Sequence, residues 1–262
     1  MPELPDVEAI RNYVDATSLD KKIARVEVKS RRMLTVSGQK FRSRLKGTTL
    51  KSTSRRGKHL FVKTDKDLWI TMHFGMTGDL KFVEDGSEEV AHGQVNIFFD
   101  GGQKLSYTSL RKLGRIGLTE DIDAYIKRKK LGPDADSISF GEFSDIVQKG
   151  KGGIKALLMN QKLVSGIGNI YSDEMLFQAG IHPESAASAL GKADVRKLYD
   201  KMRRIFRTTI KRGADSDKYP SSYLLKSRRQ GEECPGCSGK VKRETIAGRS
   251  SYFCPGCQRK IT

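Results

Sequence analysis

Apolar positions recur along the chain with two different periods, and the change from one to the other divides it. Near the start, Leu4, Val7, Ile10 and Val14 fall on one face of a helix. Pro5 and the acids Asp6 and Glu8 suit a first helical turn, so a short helix is predicted from 5 to about 14. From 22 to about 117 the pattern becomes short strands. Leu60-Phe61-Val62 and Leu68-Trp69-Ile70 flank Asp65-Lys66-Asp67, and 95–99 and 104–107 flank Asp100-Gly101-Gly102. Both are hairpin signatures, and repeated short strands with regular turns predict a sandwich or flattened barrel. The helical period then returns over 140–148, 154–161, 171–179 and 193–212. In the last stretch Leu198, Met202, Ile205, Phe206 and Ile210 form one face, with Arg203, Arg204, Arg207 and Lys211 largely away from it. The charged stretch 125–137, which contains Gly132-Pro133, reads as a linker. Neither an internal repeat nor a low-complexity tract interrupts this order.

A chain of 262 residues has room for one large domain or two modest ones. Charge narrows the class of partner. The formal net charge is +18, and 21–63 alone holds 15 Lys/Arg against the single acid Glu27. A solvated face interleaves both signs, so this block predicts a footprint on phosphate. An anionic membrane surface would also attract it, but no amphipathic or polybasic terminal helix supports that partner. No apolar run approaches the ~18–20 residues of a membrane span. The N-terminal acids do not resemble a signal peptide, so a cytoplasmic location, on the nucleoid through DNA, is expected.

All four cysteines lie near the end, as Cys234-x2-Cys237 and Cys254-x2-Cys257. In a reducing compartment this spacing predicts one tetrahedral Zn²⁺ rather than disulfides. Four thiolates leave no open position, so the zinc is structural. The intervening 240–253 has the length of a β-hairpin with Ala247-Gly248 near its tip, and Arg249 beside that tip can reach a phosphate.

Four weaker motifs accompany it. Gly166-Ile167-Gly168-Asn169 before a helix suits either an ordinary helix connection or an anion held by free backbone N–H groups. Arg55-Arg56-Gly57-Lys58-His59 suits a solvated hairpin end or a phosphate contact. In His73-Phe74-Gly75-Met76-Thr77-Gly78, Met76 is either a core residue or an exposed wedge on a basic face. Finally, Pro2 becomes a free secondary amine once Met1 is trimmed. An α-amino group titrates near pH ~8 and can attack an aldehyde-like carbon, with Glu3 moving protons.

Taken together these pieces resemble the Fpg/Nei family of formamidopyrimidine-DNA glycosylases and endonuclease VIII-like enzymes. The match spans nearly the whole chain in order. It comprises Pro-Glu-Leu-Pro at the start, Arg-Gly-Lys, Gly-Met-Thr-Gly, Gly-Ile-Gly-Asn-Ile-Tyr, Gly180-Ile181-His182-Pro183, Gly248-Arg249-Ser250 and the four-cysteine finger. The resemblance implies an α+β protein. Residues 1–128 would form an N-terminal helix and β-sandwich, 129–137 a linker, 138–228 a helix-two-turns-helix domain and 229–262 the zinc finger, with DNA in the cleft. It implies a monomer that acts on double-stranded DNA containing oxidised bases or abasic sites. Pro2 would attack C1′ of the damaged nucleotide, Glu3 would transfer protons at the sugar, and Lys58 would hold phosphate. Arg249 and Asn169 would grip the phosphates around the flipped nucleotide. His73, His92 and Lys155 would add DNA contacts, while Met76, Arg111 and Leu113 would fill the gap in the stack. The implied activity is removal of formamidopyrimidines, oxidised pyrimidines and 8-oxoguanine through an imine, then β,δ-elimination.

Three departures from the family pattern stand out. Leu113 occupies the place of a phenylalanine, Asp6 that of a glutamate and Asn160 that of an aspartate. In addition, the stretch from Gly213 to Cys234 is short where the family carries a loop over 8-oxoguanine. Weak handling of 8-oxoguanine is therefore expected. Single-turnover excision of 8-oxoguanine and 5-hydroxycytosine opposite the same base tests this, and equal rates would contradict it. A non-catalytic sensor of damaged DNA on the same scaffold, or an unrelated zinc-ribbon nucleic-acid protein, would share the charge and the zinc. Only Pro2-Glu3 separates these readings.

Overall fold

The structure, a computed structural model, describes residues 1–262. Helix α1 spans Leu4–Thr17. It continues past Val14 because Asp15, Ala16 and Thr17 are helix-compatible and the Thr17 hydroxyl donates to the Tyr13 carbonyl at 2.8 Å.

The chain clusters into two compact units, one of Met1–Pro2 with Asp6–Lys129, the other of Glu3–Pro5 with Lys130–Thr262. In the first unit the strands are β1 (Ile23–Val28), β2 (Leu50–Arg56), β3 (His59–Thr64), β4 (Trp69–His73), β5 (Gly78–Val83), β6 (Gly93–Phe99), β7 (Lys104–Ser109) and β8 (Arg115–Thr119). They form two four-stranded antiparallel sheets, in the orders β1-β6-β7-β5 and β2-β3-β4-β8. Both expected hairpins are present. Their turns carry positive φ at Asp67 (50°) and Gly102 (83°), as tight connections between twisted strands require. Val26, Val95, Ile97, Leu105 and Tyr107 of one sheet and Leu60, Val62, Ile70, Met72 and Ile116 of the other share one buried core. That is a β-sandwich.

Two stretches differ from the sequence expectation. Residues Gly38–Leu45 form helix α2 inside the region read as strands. Ser37 caps it, accepting from the Lys40 N–H at 3.2 Å, and Phe41 and Leu45, four apart, are its buried pair. Two apolar residues in eight were too few to outweigh the surrounding strand pattern. The stretch 125–137 is not a free linker. Helix α3 (Ile122–Lys129) takes its first part, and Tyr125 is buried. Ala135 is buried in the second unit, donating its N–H to the Ser165 carbonyl at 2.9 Å, while Ser165 N–H donates to Pro133 at 2.8 Å.

The second unit contains α4 (Phe140–Gln148), α5 (Ile154–Met159), α6 (Asn169–Ala179), α7 (Lys192–Lys211) and the hairpin β9 (Lys242–Ile246) and β10 (Arg249–Phe253). The helices meet on a core that includes Phe143, Leu158, Met175, Leu176, Leu198, Met202 and Phe206, and Leu4 belongs to it. The segment after α7 is pinned to α6. Tyr219 and Tyr171 hydroxyls lie 2.8 Å apart, Gln178 donates to the Ser222 carbonyl at 3.2 Å, and Leu225 N–H donates to Glu174 at 2.9 Å. Desolvation pushes the Glu174 carboxyl up to about 7. No helix is long and apolar enough to cross a membrane.

Candidate active site

The turn before α6 holds an anion, and that anion is Glu3. Its carboxylate accepts the backbone N–H groups of Gly168 (2.7 Å), Ile170 (2.8 Å) and Tyr171 (3.2 Å). Gly168, the N-cap residue, has no side chain to do this. The first-turn donors of α6 are therefore satisfied by a residue about 165 positions earlier in the chain. Leu4 N–H donates to the Gly166 carbonyl at 3.1 Å, and Gly166 lies at φ +114°, where a Cβ would stand 2.6 Å from Leu4 Cδ1. Only glycine allows that approach. Gln161 braces the turn, accepting from Gly166 N–H at 2.9 Å and donating to the Ile167 carbonyl at 2.7 Å. Gln161 was not singled out from sequence. The phosphate expected on this turn is thus replaced by an internal carboxylate. Pro2 precedes Glu3 directly and is half-buried, while Met1 is exposed.

Asn169 does not cap the helix. Its amide donates to the Ser250 carbonyl on β10 at 3.0 Å. Lys155 also departs from expectation, with none of its surface exposed. Its ammonium donates to Asp173 at 2.6 Å and to the Ser251 hydroxyl, so it cannot serve as a surface DNA contact. Arg228 donates twice to the other Asp173 oxygen, at 3.0 and 2.8 Å, and Tyr252 N–H donates to that oxygen at 3.2 Å. Burial pushes the Asp173 carboxyl up and the Lys155 ammonium down, and their mutual attraction opposes both shifts. Neither Asp173 nor Arg228 forms part of a recognisable motif. Arg249 stands exposed at the start of β10, after a turn whose residues Ala247 and Gly248 both have positive φ. Asn160 is exposed at the end of α5, where its side chain accepts from Lys162 N–H at 3.1 Å.

In the first unit Lys58 follows the Gly57 turn (φ +54°) and is 7% exposed. Met76 (42% exposed) and Leu113 (40% exposed) are among the few large apolar side chains left in solvent, as a wedge requires and a core does not. Arg111 is exposed beside Leu113, and its N–H donates to the Thr77 hydroxyl at 3.1 Å. His92 is exposed at φ +58°.

His73 is not a surface cation. It lies half-buried in β4, accepts from Gly75 N–H at 3.2 Å through Nδ1, and packs 4.9 Å from the His59 ring. His59 in turn meets the Tyr125 hydroxyl at 3.1 Å. Desolvation, with the nearby Lys58 and Lys129, lowers His73 to about 4, and desolvation with His73 lowers His59 to about 3. Both are neutral at pH 7. An unfolded histidine titrates near ~6.5, so below that pH the unfolded chain binds more protons than the folded one. The stability these rings contribute is present above ~6.5 and lost as pH falls towards 4 and then 3. The melting temperature should therefore drop between pH 7.5 and 5, and drop less in His59→Gln. An equal drop in both proteins would contradict this account.

The four cysteine sulfurs lie within 4.8 Å of one another. Cys234 and Cys257 are 3.6 Å apart, and Cys237 and Cys254 are 3.5 Å apart. A tetrahedral site with Zn–S near 2.3 Å places its sulfurs about 3.8 Å apart, so the set fits zinc. Gly236 and Gly239 N–H groups each point at a sulfur, at 3.4 Å. Burial pushes the Cys254 and Cys257 thiols up, whereas the Gly239 N–H lowers Cys237 to about 7; a bound dication would favour the thiolate form of the ligands.

Comparison with known proteins agrees with this arrangement throughout its length. Residues 1–116 match the formamidopyrimidine-DNA glycosylase N-terminal domain and residues 131–221 the formamidopyrimidine-DNA glycosylase H2TH domain. Residues 231–259 match the zinc finger found in FPG and IleRS. The chain is 32% identical over 274 positions to the formamidopyrimidine-DNA glycosylase of Streptococcus mutans, covering 99% of this chain and 100% of that one. A Streptococcus thermophilus enzyme of the same name is 33% identical with the same coverage. Among solved structures, the Lactococcus lactis Fpg in complex with abasic-site DNA superposes with a TM-score of 0.90 at 30% identity, over 98% of this chain and 100% of that one. Its complex with DNA containing FAPY-dG gives 0.91 at 30% identity, with the same coverage. The chain belongs to the formamidopyrimidine-DNA glycosylase family.

Proposed function

We propose that this chain is a bifunctional DNA glycosylase and abasic-site lyase of base-excision repair, acting as a monomer on double-stranded DNA. The observation that carries this is the Glu3 carboxylate, held by three backbone N–H groups directly after Pro2 in the chain. A proton-transfer group is thereby fixed next to an amine nucleophile. The freed Pro2 nitrogen attacks C1′ of the extruded nucleotide, the N-glycosidic bond breaks, and the base leaves with a proton. Opening of the sugar ring, with Glu3 moving the proton to the ring oxygen, gives the iminium. Loss of a C2′ proton then expels the 3′ phosphate, and a second elimination expels the 5′ phosphate.

The other site residues take supporting roles. Lys58 and Arg249 hold phosphates, and Asn169 supports them through β10. Met76, Arg111 and Leu113 fill the space the nucleotide leaves, at an extrusion cost of a few kcal/mol, and His92 adds a contact to the strand. The zinc is structural and takes no part in any step. Residues 1–128, 129–137, 138–228 and 229–262 serve as sandwich, connection, helical DNA-binding region and finger, in a cytoplasmic, nucleoid-associated protein. The pinned segment at Tyr219, Ser222 and Leu225 supports poor retention of 8-oxoguanine relative to formamidopyrimidines and oxidised pyrimidines. A non-catalytic sensor is not favoured, because the chain is similar over its whole length to formamidopyrimidine-DNA glycosylases. Borohydride trapping on an abasic duplex tests the proposal, and no adduct from correctly processed protein would overturn it.

A further inference from the structure

Strand β10 is anchored one residue at a time, and the anchors begin immediately after Arg249. The Ser250 carbonyl accepts from Asn169 at 3.0 Å and from Arg228 at 3.4 Å, while its hydroxyl accepts from Arg243 at 2.9 Å. The Ser251 hydroxyl accepts from Lys155. Tyr252 N–H donates to Asp173, and the Arg228 guanidinium lies 4.5 Å from the Tyr252 ring centroid. Three of these anchors converge on one carboxylate. Asp173 holds Lys155 on one oxygen and Arg228 with Tyr252 N–H on the other, and none of its side chain is exposed.

By contrast, strand β9 has four of its five residues exposed. The polar anchors of the hairpin therefore run through β10, three of them meeting at Asp173, beside the apolar contact of the finger with Phe177 and Leu224. Asp173 lies one helical turn beyond Asn169 on α6, the helix whose first turn carries Glu3. One rigid helix thus fixes both the Glu3 carboxylate and the strand that presents Arg249.

We propose that Asp173 is a positioning residue for Arg249, acting through Lys155, Arg228 and the backbone of β10 to set the phosphate grip. This rests on the reading of Arg249 as a phosphate contact. Asp173 touches no reacting atom, so its effect falls on binding geometry rather than on proton transfer.

The sign of the effect separates this role from plain electrostatics. Asp173→Asn removes a negative charge, which by itself strengthens attraction to a polyanion. A positioning role demands the opposite, weaker binding. The measurement is the affinity of the zinc-loaded full chain for a duplex with a reduced abasic analogue, taken across KCl concentration well below the melting temperature. Arg249→Ala should lower the magnitude of the slope of log K against log salt by about 0.9, one phosphate contact. Asp173→Asn should lower it by the same amount and weaken affinity about tenfold, and the double variant should lose no more than Arg249→Ala alone. A merely structural role would lower the melting temperature and leave the slope at the wild-type value.

If Arg249→Ala lowers the slope and Asp173→Asn does not, the inference is overturned. If Arg249→Ala itself leaves the slope unchanged, the reading of Arg249 fails and takes this inference with it. Should Asp173→Asn lose zinc or fail to unfold cooperatively, Ser251→Ala replaces it, since it cuts only the Lys155 link and changes no charge. A severalfold loss of affinity supports the proposal, and wild-type affinity and slope overturn it.

Discussion

A chain that keeps any residue in front of Pro2 is expected to form no borohydride-trapped adduct with an abasic duplex, a loss of roughly 10⁴-fold or more. Its affinity for the same duplex should change by only a few-fold. The reason is elementary. With Met1 in place the Pro2 nitrogen is a tertiary amide, with no proton to lose and its lone pair committed to the carbonyl. Once Met1 is removed, the same atom is a secondary amine, whose condensation with an aldehyde gives an iminium charged at every pH. That fixed charge is the electron sink for the later eliminations. Pro2→Gly supplies a primary amine instead, whose imine must be protonated to do the same work, so a weaker adduct is expected. In Glu3→Gln the loss has a second origin. Gly168, Ile170 and Tyr171 each present an N–H donor to the carboxylate, on both of its oxygens, so an amide –NH₂ must oppose at least one of them. The side chain is then both unable to move the proton and badly seated, and both excision and trapping should fall by about 10²–10⁴-fold. Normal trapping from a Met1-retaining chain, verified by mass, would remove Pro2 from the mechanism.

Zinc removal should produce the second large loss. The core under the finger consists of its own Cys234, Val241 and Cys254 with Phe177 of α6 and Leu224, and Tyr252 and Cys257 are partly covered. Two of those five are metal ligands. A module of about 30 residues with so little apolar burial does not hold its shape without the ion, whose binding supplies on the order of 10–16 kcal/mol. Chelation, or Cys254→Ser, should therefore free the hairpin and cut strand cleavage by at least about 100-fold. Hydrogen exchange in β1 to β8 should stay near wild type, because the sandwich core contains no residue of the finger. Full cleavage by protein shown to lack zinc would refute a structural role for the metal.

Much of this was legible in the sequence because the signals are local. Cysteine spacing specifies a metal at short range, the turn residues of the hairpins specify their own φ, and the apolar face of α7 repeats over 20 residues. The long-range pairs were not legible. Lys155 and Asp173 sit 18 residues apart and Lys155 and Ser251 sit 96 apart, with no periodicity linking them. A lysine in a basic chain reads as a surface cation until its carboxylate partner is located. His73 misled for a similar reason, since His59, its neighbour across the β3–β4 pair, decides its burial and its charge. The Gly168-Asn169 turn suits either an ordinary helix connection or an anion site, and in the structure its N–H groups face a carboxylate. What pattern alone could not supply was that the anion comes from the other end of the chain.

That last feature bears on how this protein can be taken apart. Residues Glu3–Pro5 belong to the second compact unit although the rest of α1 belongs to the first. A gene fragment for 130–262 would encode a core missing Leu4 and a helix whose leading N–H groups have lost their acceptor. The helical half is thus not a portable module. Recombination that exchanged it between relatives would succeed only where the incoming half accepted the resident tripeptide, which ties the inheritance of the two halves together through three residues.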